Sequence, residues 1–133
     1  MTHPILHLRS AAAAVFAAAV VLLAGSGCTQ VQVDPETRGE YRLGELQVFA
    51  DRDFATVHAA VVRGLRDAKL FQTQDDRKVV EAELRARDAT DSMVIVKVKE
   101  VGSKRTSIKI RYGVLKPDLP AAQKLYDAIK RHL

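Results

Sequence analysis

Hydrophobic and polar positions along the chain fall into three regimes. Residues 11–24 are 14 consecutive apolar residues, preceded by Arg9, the only Lys, Arg, Asp or Glu before Asp34. Residues 29–40 (TQVQVDPETRGE) are mixed and carry no usable period. From residue 41 onward two periods alternate: the period of two that marks a half-buried strand, and the recurrence every three to four residues that marks an amphipathic helix.

In that periodic part, Leu46, Val48 and Ala50 share one side of a strand predicted over residues 41–50. Asp53 is a suitable N-cap for a helix over 54–70, where Phe54, Val57, Val61, Leu65 and Ala68 form one stripe and Gly64 reads as a tolerated weakness. Residues 72–77 read as a polar turn, with at most a short extra strand over 71–73. Val80, Ala82, Leu84 and Ala86 alternate with Glu81, Glu83, Arg85 and Arg87, which predicts a half-buried strand ending in a turn at 88–92. Val94, Val96 and Val98, then Ile108, Ile110 and Tyr112, predict two strands of a hairpin closed at Gly102-Ser103-Lys104-Arg105. Asp118 caps a last helix with Ala122, Leu125, Tyr126, Ile129 and Leu133 on one stripe. The predicted order is β-α-β-β-β-α, and the predicted fold class is α+β: a two-layer sandwich of an antiparallel sheet with two helices on one face. Leu84, Val96, Ile110, Val61 and Ile129 are expected to meet between the layers.

A chain of 133 residues holds one ordinary domain, and 47% hydrophobic residues exclude general disorder. One cysteine excludes a disulfide within the chain, so packing must hold the fold. A domain of this size has little room for a deep substrate cavity.

The apolar run sets the organisation of the chain. As a helix it would extend about 21 Å, short of the roughly 30 Å of a bilayer core, so Arg9 and the run fit a signal peptide better than a spanning helix. The run ends in Leu22-Leu23-Ala24-Gly25-Ser26-Gly27-Cys28, which resembles the lipobox of bacterial lipoproteins, with Gly25 where that motif usually has Leu. The resemblance implies a signal peptide over 1–27, cleavage before Cys28 and acylation of Cys28. Residues 28–40 then form a lipidated Cys and tether reaching at most about 40 Å, and residues 41–133 a single domain. An uncleaved anchor and an ordinary secreted thiol are the other readings of Cys28. Thr29 rather than Asp after the Cys implies, by analogy with enteric bacteria, an outer-membrane location facing the periplasm in a diderm source.

Beyond the lipobox, the helix after the first strand, the Ala-x-Glu-x-x-Ala-Arg strand (Ala82 to Arg87), the Lys-rich hairpin and the Lys-Arg-ended last helix resemble a family of small bacterial envelope lipoproteins catalogued only as a domain of unknown function. The resemblance spans nearly the whole chain. It implies location and fold and carries no catalytic residue.

Candidate chemistry is sparse. His3 and His7 precede the cleavage point and His132 sits in the final turn, so His58 is the one histidine available to a site, and it is expected at the boundary or surface of the first helix. From Cys28 onward no His pair at i,i+4, no Asp-x-Asp-x-Asp-Gly loop and no Gly-rich phosphate loop occurs, so no catalytic residue, metal or cofactor is expected. Asp75-Asp76 and Asp88/Asp91 read as turn residues.

Charge is the unusual feature. Residues 93–114 hold six basic and one acidic side chain, a net +5, whereas residues 28–92 are net −3. With even-numbered hairpin residues facing the helices, Lys97 and Lys99 must lie near Lys109 and Arg111 on the outer face, where like charges repel. One register of the preceding strand relieves this, setting Arg85 opposite Ile95, Glu83 opposite Lys97 and Glu81 opposite Lys99. Lys104, Arg105, Lys109 and Arg111 remain as an anion-contacting patch, facing lipid headgroups, acidic polysaccharide or an acidic envelope partner. Nucleic acid is not an expected partner, because export separates the protein from it and no aromatic interleaves the basic positions. The function expected is a membrane-anchored, non-catalytic binding or scaffold lipoprotein; the alternative is a lipid-handling carrier or small envelope enzyme. A charged outer face is expected to be flat, without a groove for an acyl chain.

Overall fold

The computed structural model describes residues 27–33 and 36–133. The proposed leader therefore lies outside the described residues except for Gly27. Seven strands and two helices follow in the order β1 (Thr29–Gln32), β2 (Arg38–Arg42), β3 (Glu45–Ala50), α1 (Phe54–Asp67), β4 (Phe71–Arg77), β5 (Glu81–Arg87), β6 (Met93–Gly102), β7 (Arg105–Tyr112) and α2 (Leu119–Lys130). All strands join one antiparallel sheet in the spatial order β1-β2-β3-β7-β6-β5-β4.

The α+β class stands, but the order β-α-β-β-β-α does not: three strands are added, and the sheet extends past the predicted layer at both edges. Residues 29–32 and 38–42, expected in a tether, pair with each other as β1 and β2 and extend the sheet from β3. The strand expected over 41–50 is broken by a two-residue turn, Leu43-Gly44, with both residues at positive φ (51° and 80°). That geometry is the type I′ turn, whose twist suits a hairpin. Residues 72–77, expected as a turn, belong to β4, and Val80, expected on the buried side of the following strand, is exposed in the turn before β5. The edge strands escape prediction for one reason: they are held by backbone pairing and bury few apolar side chains, so no alternation of polarity marks them.

The central strands behave as the pattern requires. Leu46, Val48, Leu84, Val96, Ile108 and Ile110 are fully buried on one face, and both helices lie against it through Val57, Val61, Leu65, Leu125 and Ile129. Asp53 caps α1, accepting from the Thr56 amide at 3.2 Å, and Asp118 caps α2, accepting from the Ala121 amide at 3.0 Å. The helices approach closely at Gly64, where a Cβ would stand 2.5 Å from Ile129 Cγ1 and 2.8 Å from its backbone. Gly64 is thus a contact requirement rather than a weakness of the helix. Among the described residues, every buried side-chain nitrogen and oxygen has a hydrogen-bond partner.

Candidate functional site: a cationic groove on the outer face of the sheet

The face of the sheet opposite the helices carries the odd-numbered side chains of β3, β5, β6 and β7. The register places Arg85 opposite Ile95, Glu83 opposite Lys97 and Glu81 opposite Lys99, as the charge pattern predicts. It also places Lys97 directly opposite Lys109, and Ile95 opposite Arg111. The expected neutralisation across β5 and β6 nevertheless fails at the side-chain level. Glu83 turns along its own strand to Arg85, with 2.7 Å between Oε1 and Nη2, and Glu81 turns to Lys78 in the β4–β5 turn at 2.8 Å. The Lys78 hydrogen bond holds the Glu81 carboxyl below its ordinary pKa, with Lys78 and then Lys99 adding favourable charge, and reciprocally raises the Lys78 ammonium. The carboxylate that reaches Lys97 is Glu45 of β3, at 3.5 Å, and Glu45 is shared with Arg111 at the same distance.

One anion therefore serves two cations, and Lys109, half-buried between β3 and β6, has no carboxylate within ion-pair distance among the described residues. Beside it, Gln47 Nε2 donates to Ser107 Oγ at 3.2 Å. These side chains line an open groove of about 850 Å³ whose wall carries six basic side chains, Lys97, Lys99 and Lys109 among them, and four acidic ones, Asp75, Asp76, Glu81 and Glu83. A smaller depression of about 350 Å³ between Arg42, Glu45 and Arg111 adjoins it, sharing Gln47 and Lys109. The outer face is thus concave, not flat. Sheet twist and two bulges beside the groove, at Gln72/Gln74 in β4 and Glu100/Gly102 in β6, supply a curvature that polarity cannot reveal.

The four residues of the predicted patch separate. Lys109 lies in the groove. Arg111 is committed to the fold: its Nη2 donates to the Leu43 carbonyl at 2.8 Å as well as facing Glu45. Arg105 lies over the Phe49 ring, 4.8 Å from its centroid, and Lys104 sits at φ 57° in the exposed β6–β7 turn. Lys97 and Lys99 complete the cationic cluster. The alternation that placed them on the outer face was the signal for including them.

His58 departs from expectation. It is 8% exposed, and its Nε2 donates to Asp75 at 3.0 and 3.1 Å from the two carboxylate oxygens. The β4 bulge makes this pair, because the extra residue at Thr73 reverses the alternation and turns Asp75 toward α1. Arg77, on the same side, lies 5.5 Å from the Phe54 ring centroid. The pair ties an otherwise polar edge strand to the helix layer. At the far turn, Asp88 accepts from the Thr90 hydroxyl (2.7 Å), the Thr90 and Ser92 amides (2.8 and 2.9 Å) and the Tyr112 hydroxyl (2.9 Å). Those donors, the Thr90 hydroxyl foremost, lower the Asp88 carboxyl to about 2; burial, then the Asp88 hydrogen bond, pushes the Tyr112 phenol up to about 12. Cys28 is exposed beside β1 with a free thiol.

No group of three or more His, Cys, Asp or Glu among the described residues could hold a metal ion, and no described helix is long and apolar enough to cross a membrane. Fold and site define an antiparallel α+β domain with a cationic groove on its open sheet face. The family described as protein of unknown function (DUF3568) matches residues 11–132, and the chain belongs to that family. No curated protein matches the chain.

Proposed function

We propose that the chain is a membrane-anchored envelope lipoprotein, acylated at Cys28, that binds a polyanionic ligand in the sheet groove and carries out no chemistry on it. The observation that carries this reading is the placement of Lys97 opposite Lys109 with Glu83 and Glu81 engaged elsewhere and the single nearby carboxylate, Glu45, divided between Lys97 and Arg111. Like charges facing across a sheet oppose folding, and a ligand that brings negative charge between them relieves the repulsion on binding. The groove is lined largely by charged side chains. A carrier of acyl chains needs a continuous apolar cavity, so the alternative of a lipid-handling protein is the less favoured one. The family match begins at residue 11, so the apolar run and Cys28 both fall within it, which supports treating leader, cysteine and domain as one unit.

Retention on an immobilised acidic polysaccharide tests the groove. Wild-type protein is expected to bind and to elute with salt, and Lys97→Gln with Lys109→Gln, which removes both charges without setting new like charges opposite each other, is expected to abolish retention while leaving the fold intact. Arg111→Glu is the wrong probe, because it also releases the Leu43 turn. Failure of the wild type to bind polysaccharide or polyglutamate at low salt would sink the proposal.

A further inference from the structure

We infer that the end of the domain formed by the Leu43-Gly44 turn and the loop between β7 and α2 docks into the bilayer surface, so that the strands stand along the membrane normal. This rests on the reading above that the chain is held to a membrane at its N-terminal end. The anchor point is placed by topology. Thr29 pairs with Tyr41, so Cys28 lies one residue off the sheet, at the level of Arg42. No tether separates it from the domain, and only Gly25, Ser26 and Gly27 separate it from the apolar run. Acyl chains on Cys28 and a retained leader would both hold the same end.

That end exposes large apolar side chains without packing them. Leu43 is 82% exposed and Leu115 is 100% exposed. The two loops touch, since a Cβ on Gly44 would meet Pro117 Cγ at 2.6 Å. Leu43 is held at φ 51°, in a turn position where Asn, Asp or Gly is the natural occupant, and its carbonyl is fixed by Arg111. A branched apolar residue kept in a strained, solvent-facing position has no account in the packing of the domain, and an apolar surface supplies one. Arg42 and Lys116 adjoin these tips, suited to anionic headgroups. Val79, Val80 and Val101 are exposed at the opposite end, but a strand of eight residues such as β7 places them about 25 Å further from the anchor, where no acyl chain holds them to a bilayer. In this orientation the groove looks sideways, across the membrane surface, and lipid headgroups are not its ligand.

The test uses full-length chain purified from membranes and reconstituted in phosphatidylcholine–phosphatidylglycerol vesicles containing spin-labelled lipid. One cysteine is introduced at Leu43, Leu115, Val79 or Lys104 and labelled with a fluorophore; acylation leaves it the only free thiol. Labels at 43 and 115 are expected to be quenched several-fold more than those at 79 and 104. Equal or reversed quenching with an acylated intact mass overturns the docking and leaves the lipoprotein reading standing. An intact mass showing neither acyl chains nor leader overturns both. Should Leu43→Cys fold poorly, Leu115→Cys, at a fully exposed position, decides alone.

Discussion

A single hydrogen atom at residue 64 sets the distance between the two helices. Alanine is the better helix former there by roughly 1 kcal/mol, so a surface Gly64 would gain stability on replacement. In this fold the added methyl would enter the space of Ile129 Cγ1 and backbone, which cannot retreat without parting α2 from the sheet. Gly64→Ala is therefore expected to lose about 1–3 kcal/mol in chemical denaturation. Ile129→Val in the same chain should restore little, because valine keeps the γ carbon and the other two close contacts are to Ile129 backbone atoms. A net gain from Gly64→Ala would mean the helices have freedom to separate. The apolar stripe that makes α1 is plain in the sequence; the role of Gly64 is not, since it depends on which residue of a helix 65 positions away stands opposite. His58 was obscure for a related reason. Its partner Asp75 faces it only because a bulge shifts the alternation of β4 by one residue.

At the scale of elements, the β5–β6 turn is pinned to the end of β7 by Asp88 and Tyr112, and the pair makes stability depend on pH at both extremes. Asp88 titrates near 2 when folded against about 3.9 in an unfolded chain, so its contribution is complete above about pH 4 and is lost as pH falls toward 2. Tyr112 titrates near 12 folded against about 10 unfolded, so its contribution is complete below pH 10 and is lost as pH rises toward 12. Tyr112→Phe is expected to lessen the alkaline decline in a plot of denaturation midpoint against pH, and Asp88→Asn the acid decline, to which the lowered Asp53, Asp67 and Glu81 carboxyls also contribute. Unchanged profiles would show that the turn is not held by this bond. Turn residues 88–92 were legible from Asp, Thr and Ser alone, whereas the tyrosine that anchors them was legible only as a strand position. The contrast between β3 and its neighbours has the same origin. Leu46 and Val48 declare a buried strand, but β1 and β2 join the sheet through backbone groups that every residue possesses.

At the scale of the whole molecule, two surfaces at right angles divide the work proposed here, and they differ in the force each would use. Attachment at Cys28, with Leu43 and Leu115 at the bilayer, would draw on burial of apolar surface, which salt does not weaken. The groove would draw on Lys97, Lys99 and Lys109, whose attraction for a polyanion decays over about 8 Å at physiological ionic strength. The charge excess of residues 93–114 and the register of β5 against β6 could both be read from polarity, and so the cations could be placed on one face. The curvature that gathers them, and the choice of Glu83 and Glu81 to pair locally, follow from bulges and side-chain geometry that no pattern of polarity encodes. Membranes carrying the full chain and loaded with acidic polysaccharide should therefore release the polysaccharide as sodium chloride is raised to about 1 M, where screening is complete within about 3 Å, while the protein still floats with the lipid. Lys97→Gln with Lys109→Gln should reproduce the release at low salt without affecting flotation. Loss of the protein itself from the vesicles at high salt would mean that charge, not apolar contact, holds it there, and the division between end and face would be wrong.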